Sequence, residues 1–345
     1  MNQTNIKKER VVVICPGRGT YTKETLGYLK KFRQNEKISA FISGLDRQRI
    51  AANMPSITSL DEESVFKPQL HTKGENASTL IYACSFADYS ALDTEKYEVV
   101  AVTGNSMGWY IALAVAGALN ADAAFGVINT MGSMMKDGLV GGQIIYPLID
   151  ENWKLKLEAK QFVEREINET NKISGCEAYV SIFLGGYIVI GGNQKALDHL
   201  LKRLPKIENY PFQLINHAAF HTPLLNQTSQ RAFEILAPSL FQRPQIPMID
   251  GRGYIWQDYA TDLTELYEYT FNHQVVQPYD FSKAVTVALK EFCPDRLILL
   301  GPGNSLGGAI GQILIENKWL DLKSKSDFSE LQKANPFLIS LGRLT

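Results

Sequence analysis

Residues 97–119, YEVVAVTGNSMGWYIALAVAGAL, change backbone character within a few positions. The stretch YEVVAVTG is short, apolar and rich in β-branched residues, the pattern of a strand buried inside a parallel sheet. WYIALAVAGAL carries helix formers and reads as a buried helix. Between them Gly104-Asn105-Ser106-Met107-Gly108 matches G-x-S-x-G. In that pattern two glycines permit a tight strand-to-helix turn that lifts a serine hydroxyl to a helix N-terminus, where backbone N–H groups can stabilise an oxyanion. The pentapeptide is common by itself; the strand before it and the helix after it give it weight. Ser106 is therefore the candidate nucleophile of an α/β protein.

The same strand, Gly-rich turn, helix grammar recurs at both ends of the chain. VVVIC (11–15) runs into Pro16-Gly17-Arg18-Gly19, and RLILLGPGNSLGGAIGQIL (296–314) reads strand, turn, helix. Helices are expected over 23–36, 78–92, 223–237 and 280–292. The middle differs: GGQIIYPLI, a charged helix from 151 to 168, AYVSIFLG, GYIVIGG, a helix from 194 to 204, and YPFQLI. That β, α, β, β, α, β order between Asp137 and Phe212 is the ferredoxin-like arrangement. The expected fold is α/β, a parallel-sheet α/β-hydrolase-like core (1–136 and 213–345) with an inserted ferredoxin-like subdomain (137–212).

Composition narrows the function. With 45% hydrophobic and 21% charged residues over 345 positions, the chain has the makings of a packed core. Thirty-five basic against 36 acidic residues leave a net charge of −1, no field for a phosphate backbone, so no nucleic-acid partner is expected. The apolar stretch 111–128 is broken by Asn120 and Asp122, which argues against a membrane span, and the polar start MNQTNIKKER lacks the form of a secretory signal. The expectation is a cytoplasmic protein. Four cysteines without a CxxC pair predict neither a disulfide framework nor a metal site.

A serine nucleophile needs a base, and five histidines are available: His71, His199, His217, His221 and His273. His221 stands out because it precedes Thr222-Pro223, a good N-cap and first-turn pair, directly after the last strand of the insertion. An α/β-hydrolase order of residues would instead call on a later acid and histidine, such as Asp250 with His273.

Four landmarks in order resemble the malonyl-CoA:acyl-carrier-protein transacylase family, which includes the acyltransferase domains of fatty acid and polyketide synthases. They are Pro16-Gly17-Arg18-Gly19 (PGQG in the family), Gly104 to Gly108 (GHSLG), Ala219-Phe220-His221-Thr222-Pro223-Leu224 (AFHSPLM) and Gly301-Pro302-Gly303 (GPG); GYIVIGG also resembles the family's GQVVIAG. The resemblance runs from about residue 11 to 316. It implies Ser106 as nucleophile, His221 as base, the backbone N–H groups of Arg18 and Met107 as oxyanion hole, and a main-chain carbonyl near Asp280, in Pro278-Tyr279-Asp280-Phe281, orienting the histidine. It also implies an acyl-CoA donor and an acyl carrier protein as partner, with coenzyme A thioester as substrate and no bound cofactor.

Departures from the family bear on the acyl group. Where the family has an arginine that pairs with the malonyl carboxylate, this chain has Met131, which favours a neutral acyl group unless another cation substitutes. Arg18, in place of the family's glutamine, is that candidate. Asn105, Ser181 and Phe183 also depart and are read as parts of a rebuilt substrate pocket. Trp109 and the glycines of GPGNSLGG are read as packing, and the basic cluster Lys195, Lys202, Arg203 and Lys206 as a solvated face that could meet an acidic carrier. The expected function is acyl transfer from coenzyme A to a carrier protein; the alternatives are an acyl-thioester hydrolase and a non-catalytic carrier-docking subunit.

Overall fold

The computed structural model describes residues 7–343. Its strands are β1 (Glu9–Cys15), β2 (Tyr97–Gly104), β3 (Gly142–Pro147), β4 (Ala178–Leu184), β5 (Tyr187–Gly192), β6 (Phe212–Gln213), β7 (Met248–Ile249), β8 (Ile255–Trp256), β9 (Tyr279–Asp280), β10 (Arg296–Leu299) and β11 (Leu338–Ser340). They form two sheets.

The larger sheet has the order β11-β10-β1-β2-β7-β8 and is parallel except where β8 folds back on β7. Residues 11–15 of β1 are wholly buried, as a central strand covered on both faces must be, which explains the unbroken apolar run VVVIC. Val13 sits level with Val102 of β2 and Ile298 of β10. The two Gly-rich turns that leave β1 and β2 therefore open at the same end of the sheet, where ligands of such folds are met.

The second sheet has the order β6-β3-β5-β4, with antiparallel neighbours throughout. Helices Leu157–Asn171 and Gln194–Arg203 pack on it around a separate apolar core that includes Ile144, Val163, Ile190, Leu197 and Leu200. The element order is the ferredoxin-like one expected from sequence. One feature departs from a self-contained insertion: β9, from the resumed part of the chain, pairs in parallel with β4 and extends this sheet. The second sheet thus ends on a strand from the resumed part of the chain.

Several helix limits differ from expectation. Residues 23–36 form only short 3₁₀ turns at Lys23–Thr25 and Tyr28–Phe32, interrupted at Gly27 with φ +81°, and the long helix begins at Glu36, where Asn35 accepts from the Ile38 N–H as N-cap. The charged helix starts at Leu157 rather than 151 because Trp153 takes a left-handed conformation, φ +64°. β11 lies beyond the reach of the resemblance and completes the sheet edge beside β10. No helix among the described residues is long and apolar enough to cross a membrane.

Candidate active site

Ser106 sits at φ +54°, the left-handed region that a non-glycine residue enters only when its surroundings hold it there. The glycines explain how. A Cβ on Gly104 would lie 2.3 Å from the carbonyl oxygen of Gly108, and one on Gly108 would lie 2.3 Å from that of Cys15. The turn and the end of β1 therefore touch backbone to backbone. Gly17 makes a third such contact, its notional Cβ 2.7 Å from the Asn105 carbonyl oxygen, which seats the Pro16–Gly19 loop on the elbow. We predict that Gly108→Ala costs roughly 2 to 3 kcal/mol in denaturant unfolding, because neither backbone can give way. Gly126→Ala, with nothing within 4 Å, serves as the harmless control.

The structure brings Ser106 and His221 together across 115 residues of sequence, with Ser106 Oγ 2.7 Å from His221 Nε2. His221 is itself left-handed, φ +61°, and almost wholly buried; its N–H donates to the Val275 carbonyl. Its Nδ1 lies 2.5 Å from the carbonyl oxygen of Gln274. A carbonyl can only accept, so the imidazole proton belongs on Nδ1 and the Nε2 lone pair faces the serine hydroxyl.

The orienting carbonyl is thus that of Gln274, and the expectation that placed it at Asp280 is corrected. Asp280 begins the helix Phe281–Phe292, and its side chain accepts from the Lys283 N–H as N-cap. Six positions before it, the chain leaves a π-helical turn, Tyr269–His273, and that wider turn precedes the residue whose carbonyl meets the imidazole. The Gln274 side chain adds to the brace: its Nε2 donates to the Ser106 carbonyl at 3.0 Å, and its Oε1 accepts from Tyr110 Oη at 2.9 Å. Tyr279, next to Asp280, does reach the elbow, its hydroxyl donating to the Gly104 carbonyl at 2.6 Å.

Burial pulls the His221 imidazole down to about pH 4, with the nearby His273 acting the same way and the Gln274 carbonyl opposing. The imidazole is therefore neutral at neutral pH, the form that can accept a proton. The folded pKa is depressed below the ordinary 6.5, so this group costs folding stability progressively as pH falls from about 6.5 to about 4. For the reaction, we predict that serine acylation by His221 keeps a flat profile from about pH 5 upward with an acid limb near 4. A limb at 6.5 in single-turnover rates against pH would mean a solvated, unburied imidazole.

A pocket of about 40 Å³ opens at the dyad, lined among others by Arg18, Ser106, Met107, Met131, Phe220 and His221. The backbone N–H groups of Arg18 and Met107 have no acceptor among the described residues, and that of Met107 precedes the helix Gly108–Val115, whose dipole favours developing negative charge. Arg18 is one of the residues that line the pocket. Nη2 donates to the carbonyls of Thr72 and Asn216 at 3.1 and 2.6 Å, while Nε is buried without an acceptor. Burial pulls its guanidinium down to about 10, against the pull of the Glu75 carboxylate, so it stays charged at neutral pH. Met131 lies in the same wall, buried and apolar.

The remaining sequence candidates fall elsewhere. Asn105 is not among the residues lining the pocket; its side chain packs on Gly17 and its Oδ1 is buried without a donor. Ser181 accepts from Gln143 Nε2 and donates to the Phe220 carbonyl at 2.9 Å, bracing the residue before the base, whereas Phe183 lies in a different cavity. Trp109 packs edge-on against Tyr269 and donates to Thr270 Oγ1, as its reading as packing expects. Asp250 is occupied by Arg252 and Trp256, and His273 stacks on Tyr269, so no Asp250–His273 pair serves Ser106.

Comparison with known proteins adds a direction. No family model matches the chain. Over 230 residues it is 23% identical to the malonyl CoA-acyl carrier protein transacylase of Bacillus subtilis (strain 168), covering 64% of this chain and 68% of that one. It is 25% identical over 208 residues to polyketide synthase GfsB of Streptomyces halstedii, 59% of this chain but 3% of that protein. The acyl-carrier-protein S-malonyltransferase of Burkholderia pseudomallei 1710b superimposes with a TM-score of 0.72 at 20% identity, covering 88% of this chain and 93% of that one. The chain resembles the malonyl-CoA:acyl-carrier-protein transacylases in sequence and in fold. On this transacylase fold, Gln274 is the site residue that sequence reasoning missed. A main-chain contact leaves no mark on residue type, and the resemblance pointed only to the segment Pro278-Tyr279-Asp280-Phe281, further along the chain.

Proposed function

We propose that the protein transfers an acyl group from a coenzyme A thioester to the thiol of a carrier protein's phosphopantetheine arm, through an acyl-Ser106 ester. Ser106 Oγ attacks the thioester carbonyl while His221 Nε2 takes its proton; the oxyanion faces the Met107 and Arg18 N–H groups; the C–S bond breaks and His221 returns the proton to the departing thiolate. In the second half His221 takes the proton of the incoming thiol, which displaces Ser106 and leaves it protonated. The observation that carries this reading is the 2.7 Å Ser106–His221 contact with the imidazole tautomer set by the Gln274 carbonyl. The site would lie where the large unit, 1–136 and 213–345, meets the insertion, 137–212.

The acyl group we favour bears a free carboxylate, as malonyl does. Met131 offers that group nothing, but Arg18 reaches the same pocket from the opposite loop with its Nε unpaired. The cation is relocated rather than lost. Intact-mass spectrometry after mixing with malonyl-, acetyl- and longer acyl-CoAs tests the reading. A persistent adduct on Ser106, strongest with malonyl, is expected; turnover of thioester with no adduct would point to hydrolysis, and no reaction to a non-catalytic docking role.

A further inference from the structure

A second cavity, of about 230 Å³, shares no lining residue with the acyl pocket. Its walls are the β4–β5 turn and the loop after β3 on one side, helices Phe281–Phe292 and Gly307–Glu316 on the other. The glycines of the β4–β5 turn allow this approach. A Cβ on Gly185 would lie 2.5 Å from the Ala309 carbonyl oxygen, and one on Gly186 only 2.4 Å from Ile149 Cγ2.

Its chemistry is that of a built site rather than a packing void. Trp153, Phe183 and Tyr187 supply flat apolar walls, and Trp153 is held left-handed at φ +64°. Gln312, only 3% exposed, lines the cavity; its Oε1 accepts from the Gly186 N–H at 2.6 Å, and its Nε2 has no acceptor among the described residues. That amide N–H₂ is free to donate to an occupant. Asp280 and Glu316 offer carboxylate acceptors on the same lining, opposed by one cation, Lys160. Lys283, off the lining, also acts on Asp280, so two carboxylates face two lysines and an uncharged occupant fits. The volume falls just below the roughly 300 Å³ at which sites for drug-sized molecules begin, which limits an occupant to one small ring system.

We propose that this cavity binds a small, uncharged planar heterocycle of the purine-base class, its ring between the aromatic walls, a ring nitrogen accepting from Gln312 Nε2 and an exocyclic amine donating to a carboxylate. The proposal is independent of the acyl-transfer reading and is tested by binding alone. Calorimetry with adenine on the full chain should give a dissociation constant on the order of 0.1–1 mM. Indole, of similar size but without acceptors, should bind at least tenfold more weakly. Thr286→Phe, which fills the cavity, should abolish adenine binding, and Glu316→Gln, at the exposed mouth, should weaken it severalfold with the fold unchanged by circular dichroism. Adenosine 3′,5′-bisphosphate distinguishes a free base from the nucleotide end of coenzyme A: it should not bind, and binding that Thr286→Phe removes would assign the same base site to the coenzyme. The proposal is overturned if adenine does not bind, if its binding survives Thr286→Phe, or if indole binds as tightly.

Discussion

Replacing Ser106 with alanine should eliminate the acyl-enzyme altogether, and replacing His221 with alanine should slow both acylation and transfer by on the order of 10⁴-fold or more. The two side chains act as a unit, so the double variant should be no worse than Ser106→Ala alone. The size of the effect follows from geometry. His221 Nε2 stands 2.7 Å from Ser106 Oγ with its lone pair directed at it, and no second histidine shares the pocket lining. His273→Ala supplies the control. Its ring stacks on Tyr269 and touches the dyad only through the field it exerts on His221, so its loss should change rates little. Single-turnover rates from intact mass check all four proteins.

The second large effect concerns which acyl group is taken. Arg18→Gln restores the residue that the resembling family carries, and it removes the cation from the pocket. We expect kcat/KM for malonyl-CoA to fall by roughly 2 kcal/mol or more, about 30-fold, the scale of a lost charge-assisted pair, while acetyl-CoA is almost unaffected. Acetyl-CoA separates this from structural damage, because the Arg18 tethers to the Thr72 and Asn216 carbonyls would disturb both donors alike. Arg18→Gln combined with Met131→Arg should recover malonyl preference from the opposite wall. A malonyl preference that persists in Arg18→Gln alone would leave the relocated cation without a role.

Much of this was legible in the sequence, for identifiable reasons. The elbow could be read because Gly104 and Gly108 are demanded by backbone contacts that no other residue survives, so the constraint is written in residue type. The ferredoxin-like order could be read because each element carries its own periodicity. The orienting carbonyl could not, since any residue at 274 supplies one, and the π-helical turn before it has no sequence signature. The exchange at Met131 was visible, but where the Arg18 side chain points depends on the carbonyls of Thr72 and Asn216, which are distant in sequence. The long helix at Glu36 was misplaced because helix formers precede it, and the decisive marks were Gly27 and the Asn35 cap.

The central claim, transfer through Ser106 rather than hydrolysis, is tested most directly by a chase. The protein is loaded with malonyl-CoA, freed of excess donor, and mixed with a carrier protein bearing its phosphopantetheine arm, and the intact masses of both proteins are followed in time. The account predicts that the adduct leaves Ser106 and appears on the carrier, and that without carrier it persists much longer. Loss of the adduct at the same rate with and without carrier, and no gain of mass on the carrier, would contradict it.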